Sequence, residues 1–197
     1  MNHADYLKKW IYCEACNLHK HRRNTVLGEG DAPCDVLFLG DAPNKIEDVT
    51  GRPFYGKAGH LLRFAISLAA TIAEKKPKIF YANVVACRPC TTFKSKNVTP
   101  TKAQALACHP RLFDCLRMTT PRVVVCLGNT ADRYMSKLRK SDTFKDSFGQ
   151  GAADLPEPLH VKLIHPNYIL RNGGERHPMF DEFKMDISEI FKNVKNV

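Results

Sequence analysis

The chain has 197 residues, 44% of them hydrophobic, and a formal net charge of +10 with a pI near 9.3. That length suits one α/β domain with a sizeable core, and the apolar fraction excludes a disordered chain. No apolar run reaches membrane-spanning length and the N-terminus, MNHADYLKKW, lacks a signal peptide's apolar segment, so a cytoplasmic, monomeric protein with no membrane partner is expected. The basic balance points to a polyanion such as nucleic acid.

Residues 1–12 read as a short amphipathic helix with Tyr6, Leu7, Trp10 and Ile11 on its apolar side. Cys13 and Cys16 follow at CxxC spacing, which lets both thiolates of one turn bind a metal, and then comes the basic string Lys20, His21, Arg22, Arg23. The stretch 27–33, LGEGDAP, is a turn-rich entry to the first buried strand, Val36-Leu37-Phe38-Leu39. That strand stops at Gly40, and a long loop through Asp41, Asn44, Glu47 and Asp48 reaches Pro53-Phe54-Tyr55-Gly56. Such a loop presents carboxylates, backbone N–H groups and a Pro-flanked aromatic, a combination suited to gripping a flat polar ring. From Ala58 an apolar-periodic helix runs through Leu61, Leu62, Phe64, Ala65 and Leu68.

A second strand spans 79–85 with Asn83 near its carboxyl end, followed by Cys87-Arg88-Pro89-Cys90 and a polar, basic loop, TTFKSKNVTP. Thr101 is a plausible N-cap for a helix to about Arg117, with Ala105, Leu112 and Leu116 inward and Pro110 positioned to kink or split it. Arg122–Gly128 is the clearest buried strand, and Asn129-Thr130 opens a helix through Tyr134 and Leu138. Residues 139–158 read as a loop. A last strand, 160–164, leads into the loop HPNYILR at 165–171, and a closing helix covers roughly 180–193. Strands alternating with helices predict a three-layer α/β/α sandwich around a four-stranded parallel sheet, in one domain over 1–197. Asp41, Asn83 and His165 would then meet on one rim.

The eight cysteines of a cytosolic chain are not expected to pair as disulfides. Cys13, Cys16, Cys87 and Cys90 make two CxxC pairs, the pattern of a structural zinc site. Cys34, Cys115 and Cys126 sit in apolar surroundings and read as small core residues.

GDAPNKIEDVTGRPFYGKAG at 40–59, ANVVACRP at 82–89, VVVCLGNTA at 123–131, HPNYILR and the N-terminal CEAC together resemble the uracil-DNA glycosylase superfamily, in its iron-sulfur branch often called family 4. The resemblance implies a monofunctional DNA-repair glycosylase that flips a base from DNA and hydrolyses its N-glycosidic bond, most simply uracil, leaving an abasic site. It implies Phe54 as the stacking platform and Asn83 as the amide that reads the pyrimidine edge. It makes His165 the donor to the departing base, with Ala42 and Asn44 also in the base pocket. Asp41 and Glu47 are the carboxylates that could position water. Tyr168, Ile169, Leu170 and Arg171 are implied as DNA contacts, with Arg176, His177, Lys94 and Lys96 as further charges nearby. A [4Fe-4S] cluster on Cys13, Cys16, Cys87 and Cys108 is implied in place of the zinc scheme, leaving Cys90 spare.

Three residues depart from the family's usual pattern: Asp41 stands for glutamate, Asn44 for glycine and Tyr55 for an aliphatic residue. They leave open the same chemistry on another modified pyrimidine. A non-catalytic DNA-binding module is the alternative of another class.

Overall fold

The computed structural model describes residues 1–148 and 157–194. The apolar runs form strands Val36–Gly40 (β2), Ile79–Asn83 (β3), Val123–Leu127 (β4) and Leu159–Leu163 (β5), parallel and in the order β3-β2-β4-β5. A two-residue strand, Glu29–Gly30 (β1), pairs antiparallel with the outer edge of β3, so the sheet has five strands and not four. The parallel part is as expected. β1 escaped notice because two residues carry no periodicity, and its register needs Gly30 at φ +136, with backbone hard against the Ile79 carbonyl.

Alternate residues of the strands feed two cores. Val36, Phe38, Tyr81, Val125 and Leu127 pack with Lys57–Ile72 (α3), Pro166–Arg171 (α8) and Pro178–Asn193 (α9). Leu37, Leu39, Phe80, Ala82, Val124 and Cys126 pack with His3–Trp10 (α1), Lys102–Ala107 (α4), His109–Thr119 (α5), Asn129–Arg139 (α6) and Asp142–Phe148 (α7). Both faces are covered, which is why these strands read as continuous apolar runs. The short helix Lys45–Thr50 (α2) lies in the loop after β2.

Several boundaries move for identifiable reasons. In α1 only Tyr6 and Trp10 of the expected apolar side pack inward, while Leu7 and Ile11 are exposed. Tyr6 donates to the Leu27 carbonyl and Trp10 Nε1 to Asp114, and these two anchors set the rotation of the helix. The helix after Thr101 splits at Cys108: Thr101 and Gln104 form a capping box at the start of α4, and Pro110, in the first turn of α5, forces the restart. Residues 142–148, expected as loop, form α7, whose Phe144 and Phe148 bury in the core; 149–156 lie outside the described residues. The 165–171 segment, also expected as loop, is α8, because His165 caps it and Pro166 occupies its first turn.

β2 connects through α3 on one face and β4 through α6 on the other, so the carboxyl ends of these neighbouring strands flank a crevice where the chain direction diverges. The Pro53–Phe54 turn lies directly on α3. A methyl group at Gly59 would stand 2.0 Å from the Phe54 carbonyl oxygen and 2.6 Å from its Cα. Gly59→Ala is therefore expected to cost about 1–3 kcal/mol through overpacking, read as a lower midpoint in urea with an unchanged slope.

Candidate active site

A cavity of about 380 Å³ opens at the carboxyl ends of the strands. Asp41 and Ala42 follow β2, Asn44 and Glu47 begin α2, Phe54 comes from the turn on α3, Asn83 ends β3 and His165 follows β5; all line this one cavity. The expected base-site residues thus converge from five segments of the chain.

Asn83 is buried, at 3% exposure, and its amide nitrogen has no hydrogen-bond partner among the described residues. A buried unpaired N–H costs on the order of 1–3 kcal/mol, and a carbonyl entering the cavity would remove that cost. Phe54 sits at φ +53, a strained conformation for a non-glycine residue held by the turn around it. Its ring packs against Tyr81 at 5.9 Å between centroids and also lines the cavity. Gly40 separates the two: a methyl group there would stand 2.5 Å from Asn83 Oδ1 and 2.8 Å from Phe54 Cζ.

The two carboxylates differ. Asp41 bridges the crevice, accepting from the Ala131 backbone N–H at 2.9 Å and from the Thr130 side chain. Burial outweighs these bonds and pushes its pKa up to about 6. Glu47 is buried and accepts from the backbone N–H of Asn44 at 2.9 Å and from those of Tyr55 and Phe54. Its carboxylate therefore clamps both ends of the loop that carries Phe54. Asn44 completes the reciprocal cap of α2 through its Oδ1, so its side chain is occupied by Ile46 and Glu47 N–H. Tyr55 is partly exposed and is not among the cavity's lining residues.

His165 Nδ1 accepts from the Asn167 backbone N–H at 3.1 Å. A backbone amide can only donate, so the ring proton resides on Nε2. Burial, with the nearby Arg171 charge, lowers the His165 pKa to about 4. The site therefore holds a neutral imidazole with an N–H to give.

Along α8, Tyr168 is 44% exposed, Leu170 is half-buried, and Arg171 is exposed and lines the cavity. Ile169 is 0% exposed and packs in the core with α3 and α9, which corrects the expectation that it reaches DNA; the helical turn points it inward. Sequence reasoning missed a further part of the lining, which Pro89, Asn97, Val98, Thr99 and Pro100 supply from one loop. The buried Arg88 holds that loop through Asn97 Oδ1, Phe93 O and Ser95 O at 2.6, 2.9 and 2.5 Å. The signal in the sequence was an arginine just ahead of a polar loop bounded by two prolines, and no period marks it.

Cys13, Cys16, Cys87 and Cys108 line a second, small cavity together with Arg22 and Arg111. Cys90 is buried but not among its lining residues. Cys34, Cys115 and Cys126 are buried, as expected of small core residues. Among the described residues no three His, Cys, Asp or Glu side chains gather round a point that could hold one metal ion.

The depressed His165 pKa has a measurable consequence. Its imidazole is expected to stay neutral, in the Nε2–H form, down to about pH 4, read by ¹⁵N-edited NMR of the histidine rings. Because the folded value lies below the ordinary 6.5, the unfolded chain binds the proton first. This residue's contribution is whole above pH 6.5 and is lost as pH falls from 6.5 toward 4.

Residues 27–188 match the sequence profile of the Uracil DNA glycosylase superfamily. The chain is 33% identical over 184 residues to the Type-4 uracil-DNA glycosylase of Pyrobaculum aerophilum, covering 91% of this chain and 88% of that one. It is 36% identical over 160 residues to the Type-4 uracil-DNA glycosylase of Thermotoga maritima, covering 81% and 79%. A third relative of the same description, from Sulfurisphaera tokodaii, is 35% identical over 179 residues, covering 88% and 78%. With likeness of this extent, and with the strand-end constellation in place, the chain belongs to the uracil-DNA glycosylase superfamily, in its type-4 branch.

Proposed function

We propose that this protein is a monofunctional DNA glycosylase that takes a flipped uracil into the cavity and hydrolyses its N-glycosidic bond. The observation that carries the reading is the buried, unpartnered Asn83 amide beside the Phe54 ring. Phe54 supplies a face for the base, and Asn83 Nδ2 donates to a base carbonyl. As the bond breaks, negative charge grows on the departing base. His165 Nε2–H donates to it, and a neutral donor is enough because the charge is developing on an oxygen. Asp41, ionised above about pH 6, orients the attacking water and stabilises the positive sugar. Glu47 acts through the loop it clamps. The C–N bond breaks with its electron pair going to the base, the water oxygen bonds to the sugar, and the proton that water gives up ends on the departing base, leaving an abasic site. Arg171, Tyr168 and Leu170 face the DNA backbone and the gap left by the base. That Tyr55 stands outside the lining leaves the slot unaltered at one of the three departures, which favours uracil over a different pyrimidine.

We assign Cys13, Cys16, Cys87 and Cys108 to a [4Fe-4S] cluster. The small cavity is lined by these four thiols and not by Cys90. A single zinc ion needs its donors about 2.3 Å from one point, whereas a four-iron cluster takes one thiolate on each iron. The cluster's contribution when bound is structural: it ties the N-terminal segment to the end of β3 and the start of α5. No helix among the described residues is long and apolar enough to cross a membrane.

Asn83→Ala and His165→Ala should each slow uracil release from single-uracil oligonucleotides roughly 10²–10³-fold, while DNA binding survives; wild-type rates in both would refute the assignment. The acid limb of kcat/KM should lie near pH 6 and fall about tenfold per pH unit below it, because Asp41 must be ionised. That limb should vanish with most of the activity in Asp41→Asn. Iron and sulfide analysis separates the cysteine schemes: Cys108→Ser should lose the cluster and its visible absorbance, and Cys90→Ser should keep both.

A further inference from the structure

Three cations surround one half-buried ring outside the cavity. The Arg23 guanidinium lies 3.9 Å from the Phe93 ring centroid, the Lys45 ammonium 5.2 Å and the Arg88 guanidinium 5.9 Å. They come from separate parts of the chain and are brought together by backbone bonds. The buried Asp48 of α2 accepts from the Arg23 N–H at 2.9 Å, which sets Arg23 beside Lys45 at the start of the same helix. Arg88, at 1% exposure, donates to the Phe93 and Ser95 carbonyls and so presents the ring to the other two.

Among the described residues no carboxylate pairs with Arg23, Lys45 or Arg88, and Lys94 and Lys96 on the same loop are exposed and likewise without an acidic partner. Cations gathered round one ring repel one another unless an anion lies between them. Cation–π attraction to Phe93 holds the side chains without neutralising them. The cluster also adjoins the cavity: Lys45 follows Asn44, and the Phe93 loop continues into Asn97, Val98 and Thr99, all of which line it.

We propose that Arg23 and Lys45, positioned on Phe93 and braced by Arg88, bind backbone phosphate of the DNA beside the flipped nucleotide. The choice of DNA as the phosphate's source rests on the glycosylase reading above.

The test is the salt dependence of binding to an undamaged duplex, followed by fluorescence anisotropy with the full chain. Each phosphate that the protein no longer neutralises lowers the slope of log K against log[salt] by about one. Arg23→Gln/Lys45→Gln should lose one to two of these increments, weaken binding roughly tenfold near 0.1 M salt, and regain the slope as Arg23→Lys/Lys45→Arg. Lys8→Gln/Lys192→Gln, which removes the same charge from α1 and α9, should leave the slope as in wild type. An unchanged slope in the first pair, or an equal loss in the control pair, would overturn the proposal. So would saturable binding of inorganic phosphate below about 1 mM, which would mark a small-anion site. Uracil release is not part of this readout, so a wild-type protein that released no uracil would defeat the catalytic reading alone.

Discussion

The site depends on one close approach. β2 and β3 run in parallel register with Gly40 opposite Asn83, and the Phe54 turn closes over the pair. A side chain at Gly40 would occupy the space between the amide and the ring, so the slot exists because this strand ends in a residue without a Cβ. Around that point the loop is held by bonds to backbone and not by side-chain packing alone. Glu47 takes the N–H groups of Asn44, Phe54 and Tyr55, and Gly59 lets the turn settle on α3. A positive φ at Phe54 is tolerable only in such a frame.

Buried guanidinium groups organise what surrounds the slot. Arg111 is 1% exposed and donates to the Asn83 and Val84 carbonyls at 2.5 and 2.7 Å while also lining the cysteine cavity. Arg88 holds the loop that supplies part of the cavity lining. The Arg111 fork satisfies carbonyls at the end of β3 that would otherwise be buried without donors, and the Arg88 fork ties together carbonyls within the loop itself. The same arrangement places the thiol cavity within one side chain's length of the strand end that carries Asn83.

Burial acts on the two titrating groups in opposite directions, and both shifts suit the chemistry. Removing water disfavours charge, which raises the Asp41 carboxyl and lowers the His165 imidazole. The result at neutral pH is an ionised acid on one side of the slot and a neutral N–H donor on the other. The Ala131 N–H moderates the first shift, and the Asn167 N–H fixes the tautomer behind the second. Both are backbone groups at helix starts, so the electrostatics follow from where the helices begin.

Much of this was legible in the residues. Runs such as Val36–Leu39 and Val123–Leu127 announce buried strands because both faces are covered, and Thr101 and Pro110 mark a helix start and its break by their hydrogen-bonding capacity. Asp41, Asn83 and His165 stand at or just past strand ends, so parallel topology alone brings them to one rim. Features set by contact between distant segments were not legible: the added strand β1, the helix at 142–148, the inward turn of Ile169 and the share of 97–100 in the cavity lining. The amino-acid order determined the strands, the helix caps and the identity of the groups on the rim, because those follow from local period and local hydrogen bonding. Only the folded chain decided which carboxylate clamps the loop, which ring nitrogen carries the proton and which thiols share a cavity, because burial and partners at long range are properties of no single segment.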